Sequence, residues 1–398
     1  MKKILISLAA VLFAATMSAQ TKDDKLDDTM NPLITSMPSL SITPDARAAG
    51  MGDVGVATEA DFNAQFWNPA KYAYMYSKGG ITANYTPWLR KIGVNDIDLA
   101  YLAGFYNFGD MAGGIGASFT YFSMGDVTLT NNNGTEVGTV RPNEWALDLS
   151  YFRKLHEYVS MSVAVRFLYS DLNNGFNSSI GGTSGEMHAA WTMAADIALY
   201  YKQPIELPMG TSNFSLGFSL KNLGGKMTYD SITSNFIPTS MNIGVGYEMP
   251  FDKYNSLTLN LEANKMLVPS RYSKFADQAD GKYSQDAYSA LDPARGWFQS
   301  FGDAPGGAKE EFNEVRWGAG LEYSYNKQFF ARMGYSYENY YKGNRNYITF
   351  GAGFHLSIVS LDVSYCVGLA ATNPLDQTMR FTLGFDLAGI KDLVNNKK

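Results

Sequence analysis

The sequence predicts an all-β protein, a 14-stranded antiparallel transmembrane β-barrel with an N-terminal hatch inside its lumen. Three observations predict it: an unusual composition, a period-two pattern repeated along the chain, and connections that alternate between short and long. The 398 residues hold 18% charged and 14% aromatic side chains, with 26 Tyr, 24 Phe and 38 Gly. Charge is below the ~25% of soluble domains, whereas aromatics are enriched. Mean hydropathy is nevertheless −0.18, and no apolar run beyond the first twenty residues approaches the ~18 needed for a spanning helix. A chain that alternates lipid-facing and lumen-facing residues has this profile. The net charge of −6 argues against nucleic acid as a partner.

Residues 1–19 read as a signal peptide. Met1-Lys2-Lys3 is a basic lead, Ile4 to Ala15 an apolar stretch, and Ser18-Ala19 a small-residue cleavage site. Export to the cell outer membrane is the expectation. Cys366 is the sole cysteine, so no intramolecular disulfide framework exists.

Residues 20–78 show no strand pattern and are read as a periplasmic lead and the hatch. The hatch spans Pro32 to Ser77 and centres on Arg47-Ala48-Ala49-Gly50-Met51-Gly52 and Phe66-Trp67-Asn68-Pro69-Ala70. A fourteen-stranded barrel left empty would be a water channel. Gly50, Gly52 and Gly55 fit a dinucleotide fingerprint, but no strand precedes them and no βαβ unit follows. Backbone geometry and close packing are the expected role of Gly50 and Gly52.

Residues 79–390 are read as the barrel, and 391–398 as a periplasmic tail. Near the C-terminus Val359, Leu361, Val363, Tyr365 and Val367 alternate with Ser360, Asp362, Ser364, Cys366 and Gly368, as a strand with two unlike faces must. Fourteen such segments begin near Gly80, Ile97, Met111, Asn143, Tyr158, Ala189, Ser212, Thr239, Tyr254, Glu314, Gln328, Asn346, Ile358 and Thr378. Their connections alternate tight and long, as periplasmic turns and extracellular loops do. Residues 202–211 read as the one turn longer than its side of the barrel would suggest.

A soluble sandwich also alternates, but it turns charges to water. Here one parity is almost wholly apolar. The other carries Asp98, Asp148, Arg166, Asp196, Lys221, Glu248, Glu262, Arg316, Glu322, Arg332, Asp362, Arg380 and Asp386. Turning each Arg or Lys to lipid would cost about 2–4 kcal/mol at the midplane, so this parity is expected to line the lumen as a salt-bridge network. Its large apolar members are read as Phe122, Leu168 and Phe330, too few by themselves for the greasy tunnel of a transporter of hydrophobic small molecules; such a transporter, its pocket supplied by the hatch or a loop, stays the alternative.

Catalytic and metal chemistry find no support. His156, His188 and His355 are the only histidines, and no pair has metal-ligand spacing. No G-x-S-x-G elbow occurs. The expectation is a non-enzyme with no cofactor and no metal.

The Asp45-Ala46-Arg47-Ala48-Ala49-Gly50-Met51-Gly52-Asp53 block, followed by Gln65-Phe66-Trp67-Asn68-Pro69-Ala70, resembles the hatch of FadL-type outer-membrane barrels. Its wording is most similar to the PorV (LptO) branch, components of the type IX secretion system of Bacteroidetes. The resemblance implies a barrel that receives cargo C-terminal domains at the translocon and passes them to the cell-surface sortase complex. Implied partners are the translocon barrel (SprA or Sov), the sortase PorU, cargo proteins with type IX C-terminal domains, and outer-membrane lipid. Arg47, Gly50, Gly52, Asn68 and Pro69 form the hatch motif, structural in role.

The longest connection, Pro269 to Asn313, carries Tyr272, Phe275, Tyr283, Tyr288, Trp297, Phe298, Phe301 and Phe312. Disordered segments disfavour aromatics. These side chains either pack as a lid or, with Trp297 and Phe298 foremost, bind a partner, since aromatics dominate hot spots. Gly302, Pro305, Gly306 and Gly307 are expected to let the tip extend from the rim.

Overall fold

The computed structural model describes residues 31–109, 112–130, 133–173, 188–230, 234–270, 285–356, 358–370, 373, 375–387 and 389. The signal peptide, the lead to residue 30, the tail 391–398 and three of the loop aromatics, Tyr272, Phe275 and Tyr283, lie outside them.

Fourteen strands close into one antiparallel barrel. They are β1 (Gly79–Pro87), β2 (Ile97–Gly109), β3 (Gly113–Met124), β4 (Asn143–His156), β5 (Val159–Asp171), β6 (Ala190–Leu207), β7 (Gly210–Gly224), β8 (Ser240–Pro250), β9 (Asn255–Met266), β10 (Val315–Tyr325), β11 (Phe329–Tyr337), β12 (Tyr347–His355), β13 (Val359–Gly368) and β14 (Met379–Asp386). Each strand pairs with its neighbours in sequence, and β1 closes on β14 with Gly80 opposite Asp386 and Tyr85 opposite Phe381. Every barrel strand starts within two residues of its expected start.

Residues 202–211 do not form a long turn. β6 runs to Leu207, pairs with Gly210 and spends only Pro208 and Met209 on the reversal. The polar ends of both strands hid the pairing, because Gln203, Pro204, Glu206 and Thr211 are exposed and break the apolar alternation.

Outside, Leu102, Leu149, Val165, Met193, Ile243 and Leu361 present bare hydrocarbon. Aromatics ring both ends, with Tyr106, Phe108, Tyr254, Tyr325 and Phe329 beside the short turns and Tyr121, Trp191, Trp317 and Tyr337 toward the long connections. An apolar band between aromatic girdles is the surface an outer-membrane barrel shows to lipid.

Inside, the charged parity lines the lumen as expected, with Arg316 and Asp386 half-buried and the others buried, and with one correction. Asp98 shares its face with the exposed Ala100 and Leu102, and it meets the Tyr85 hydroxyl at 2.7 Å and Arg90 at 2.7 Å. Lying at the strand end, it reaches water and escapes the midplane cost. The apolar lining also needs correcting. Beside Phe122 and Leu168, the residues Leu99, Tyr101, Phe105, Phe152, Tyr200 and Tyr347 point inward and are buried, while Phe330 is half-buried beneath His355.

These inward rings meet residues 31–78, which occupy the lumen. Tyr72 stacks on Phe105 at 4.4 Å and leans on Phe152 at 5.5 Å. Short helices replace strands in this plug: Ala46–Ala49, Ala64–Trp67 and a 3-10 turn at Pro69–Tyr74. At one end Asn31 N–H donates to Tyr341 O at the long-connection side, and at the other Ser77 Oγ meets Asp386 by the short turns. The plug thus runs the height of the barrel.

Candidate functional site: the plug and its seat

Two helices of the plug, Ala46–Ala49 and Pro69–Tyr74, begin on a side-chain cap. Asp45 accepts from Ala48 N at 2.9 Å and from Trp67 Nε1 at 2.7 Å, so one carboxylate starts the first helix and ties it to the second. Burial, reinforced by the nearby Asp61 carboxylate, pushes the Asp45 carboxyl up to about 6. Asn68 Oδ1 accepts from Ala70 N at 3.1 Å, and Pro69 fills the first position of the following turn, where its missing N–H is no loss. The Asn68 amide also donates to Leu199 O at 2.9 Å and Val56 O at 3.2 Å, fixing the plug to β6.

Arg47 is the hub. Its Nε and Nη2 grip both oxygens of Glu322 at 3.0 and 2.9 Å, and Nη1 reaches Asp61 at 2.8 Å and Glu59 O at 3.0 Å. Burial alone would lower its pKa. The Glu322 and Asp61 carboxylates more than reverse that and hold the guanidinium charged. Glu322 also accepts from Arg332 Nε at 2.6 Å, Arg332 Nη1 reaches Asp362 at 2.6 Å, and Asp362 faces His355 at 3.3 Å. A second network joins Arg166 to Asp148 and, at 3.0 Å, to Asp196. The expected lumenal salt bridges therefore exist, and one of them extends into the plug.

Close approach places the glycines. Gly52 has φ +76°, and a Cβ there would sit 2.6 Å from Tyr335 O and 2.7 Å from Tyr335 N. Gly50 has an ordinary φ of −68° but faces Gly351, whose Cα lies 3.0 Å from where a Cβ would be. The Gly52 amide donates to Thr349 Oγ1 at 2.8 Å, and the Gly55 and Val56 amides to Glu262 at 2.8 and 2.9 Å. Among the described residues no strand precedes this turn; wall side chains take up its amides instead of a phosphate.

Arg47, Gly50, Gly52, Asn68 and Pro69 thus come together in one buried body. Asp45, Asp53, Lys71 and Glu262 belong with them; of these the sequence singled out only Glu262, as one of the inward charges. Asp45 had a readable signal as a cap ahead of Ala-Arg-Ala-Ala. Lys71, which donates to Gly55 O at 2.7 Å and Thr58 Oγ1 at 2.9 Å, had none.

Trp297 and Phe298 lie apart from this body, on a helix at Pro293–Gln299 within the long connection. Phe298 is 79% exposed and Phe312 63%, whereas Trp297 is half-buried, its indole N–H without a partner among the described residues. The tip does not extend from the rim. Asp303 accepts from Ser270 N at 2.8 Å, Glu311 from Ala304 N at 2.8 Å, and Glu310 from Gly306 N at 2.7 Å, so its glycines serve turns folded back on themselves. Lys342 then pins the helix Ala308–Asn313 through Glu310 at 2.6 Å.

A small cavity of about 70 Å³ lies between plug and wall beneath the long connections. An apolar cavity of about 150 Å³ is what one benzene fills. This one is less than half that size and is rimmed by Lys221, Glu314, Arg316 and Glu338. Among the described residues, no cluster of three or more His, Cys, Asp or Glu has metal-site geometry.

The sequence model described as "Type IX secretion system protein PorV" matches residues 25–273, well over half of the chain. The chain belongs to the PorV family. It is an outer-membrane β-barrel of the type IX secretion system. A search of curated proteins found no match. Among solved structures it is similar to the toluene transporter TbuX of Ralstonia pickettii, at 12% identity over 85% of this chain and 97% of that one, TM-score 0.48. The Pseudomonas putida toluene transporter TodX gives 13%, 85% and 95%, TM-score 0.48. A Pseudomonas aeruginosa FadL homologue gives 12%, 89% and 99%, TM-score 0.42.

Proposed function

We propose that this PorV-family barrel, exported by the signal peptide at 1–19, receives cargo C-terminal domains at the type IX translocon (SprA or Sov). It then shuttles them to the sortase PorU and the cell-surface attachment complex, with no catalytic step of its own. The observation that supports this reading best is the seated plug. Arg47, Asn68 and the Gly52 turn lock it to β6, β10 and β12 through hydrogen bonds and an ion pair, and Gly52 packs against the backbone of β11. Moving it aside for a hydrophobic permeant would break several of these at once, and breaking one buried pair alone costs about 3–5 kcal/mol. A barrel so filled offers partners its outer surfaces instead.

The exposed Phe298, Phe301 and Phe312 of the long connection are the aromatic anchors we assign to translocon or cargo contact, with Trp297 supporting from beneath. Affinity purification from the native outer membrane tests the proposal. Recovery of a giant barrel and of cargo is the expected result; a lone monomer that retains a hydrophobic small molecule would favour a FadL-type transporter.

A further inference from the structure

The cavity beneath the long connections carries unbalanced charge. Four cations line it, Lys221, Arg316, Lys342 and Arg345, against two carboxylates, Glu314 and Glu338. Both carboxylates are already committed. Glu314 binds Lys342 at 3.0 Å and Lys265 at 2.8 Å, and Glu338 binds Arg345 at 2.6 Å. The side chains of Lys221 and Arg316 make no ion pair and no hydrogen bond with any described residue. The Lys221 Nζ rests on ring faces, 3.9 Å from the centroid of Phe66 and 5.9 Å from that of Trp67. Glu262, a further carboxylate of the wall, accepts from the Gly55 and Val56 amides.

The backbone is built to put Lys221 there. Pairing of β6 with β7 passes from Ala195 opposite Leu223 to Ile197 opposite Leu220, so Asp196 alone faces both Lys221 and Asn222. In a regular strand consecutive residues point to opposite faces; this bulge turns two in succession to the lumen, where they are 8% and 2% exposed. Asn222 takes φ +58° and is held on every side. Its N–H donates to Asp196 at 2.7 Å, its amide to Pro238 O at 2.8 Å, and its oxygen accepts from Arg166. Asn222, fully bonded, thus fixes a lysine that no carboxylate contacts directly; Asp196, Asp148 and Glu262 act on it only through space. Burying a cation without a direct partner is costly.

We propose that this cavity binds a single oxyanion group, of the phosphate or carboxylate class, between the Lys221 ammonium and the Arg316 guanidinium. At about 70 Å³ the cavity has room for one such group. The group is either a free ion or the anionic end of a larger molecule held in the mouth above.

Calorimetry on the purified full-length protein in detergent tests this, with inorganic phosphate, acetate and glycerol 1-phosphate as probes at fixed ionic strength. Wild type should give saturable binding of inorganic phosphate or acetate. Arg316→Gln and Lys221→Gln should each weaken it by about tenfold or more, the worth of one charge-assisted hydrogen bond. Binding of glycerol 1-phosphate as tightly as the free ion would identify a headgroup as the source; its exclusion would identify a free ion. Should Lys221→Gln fail to assemble, because the plug rings lose their cation, Arg316→Lys and Arg316→Gln decide the matter. Retention in the first and loss in the second supports the site. Absence of saturable binding in heat-modifiable wild-type barrels, or equal binding in both Arg316 variants, overturns it.

Discussion

Replacing Arg47 by Met removes the one plug side chain that grips a wall carboxylate with two parallel hydrogen bonds. Breaking a buried pair costs about 3–5 kcal/mol when the abandoned charge is left alone. Glu322 is not left alone, since Arg332 Nε stays at 2.6 Å, so the loss should fall near the low end, about 3 kcal/mol, or roughly two decades in the folding equilibrium. Glu322→Leu strands Arg47 and Arg332 together, each keeping one carboxylate, Asp61 and Asp362 respectively, and should cost a similar amount. The double variant removes both halves of the contact and should lose less than the sum, by at least about 1 kcal/mol, as coupled neighbours do. Equilibrium urea unfolding in detergent, followed by tryptophan fluorescence and by heat-modifiable gel migration, measures all three. Losses that add to within about 0.5 kcal/mol would mean that the plug is not held by this pair, and the argument from a locked lumen would fail with it.

Other consequences are equally open to measurement. Gly52→Val places a β-branched residue at φ +76° against the backbone of Tyr335, and strain plus overpacking should cost about 2–6 kcal/mol; heat-modifiable barrel should drop sharply, whereas Gly50→Ala should assemble. Burial would raise the Glu310 pKa, but Lys342 and the Gly306 N–H hold it below its ordinary value, so this link stabilises above the unfolded glutamate pKa of about 4.3 and is lost as pH falls below it. Protection of the helix Ala308–Asn313, taken against intrinsic amide exchange at the same pH, should therefore be weaker at about pH 3 than at about pH 7 in wild type, and Lys342→Met should abolish the difference. Trp297→Ala combined with Phe298→Ala should leave barrel assembly unchanged while recovery of translocon or cargo falls; wild-type recovery would remove these aromatics from the interface.

The barrel was legible because its physics is local. Each strand must alternate lipid-facing and lumen-facing residues, and that leaves a period in the sequence which a plug cannot blur. Strand ends were less so: Asp98 lies where water is near and either face is tolerated, and the polar residues from Gln203 to Thr211 concealed a two-residue turn. The plug obeys no period. Its short helices rest on single caps such as Asp45 and Asn68, and its position rests on contacts across hundreds of residues, as between Arg47 and Glu322, which no window along the chain contains. The inward aromatics Tyr101, Phe105 and Phe152 misled for the same reason, since their partners, Tyr72 among them, come from the plug and not from the adjacent strands. Lys221 read simply as one more inward charge, because a bulge that turns two neighbours the same way is a property of pairing.

The central claim is that this PorV-family barrel serves protein export and does not conduct hydrophobic small molecules. A deletion strain tests it most directly, scored together for release of proteins bearing type IX C-terminal domains and for growth on a hydrophobic carbon source. The account predicts that many such cargo proteins stay cell-associated at once while growth on the hydrophobic substrate is unchanged. Normal secretion with lost growth would contradict it.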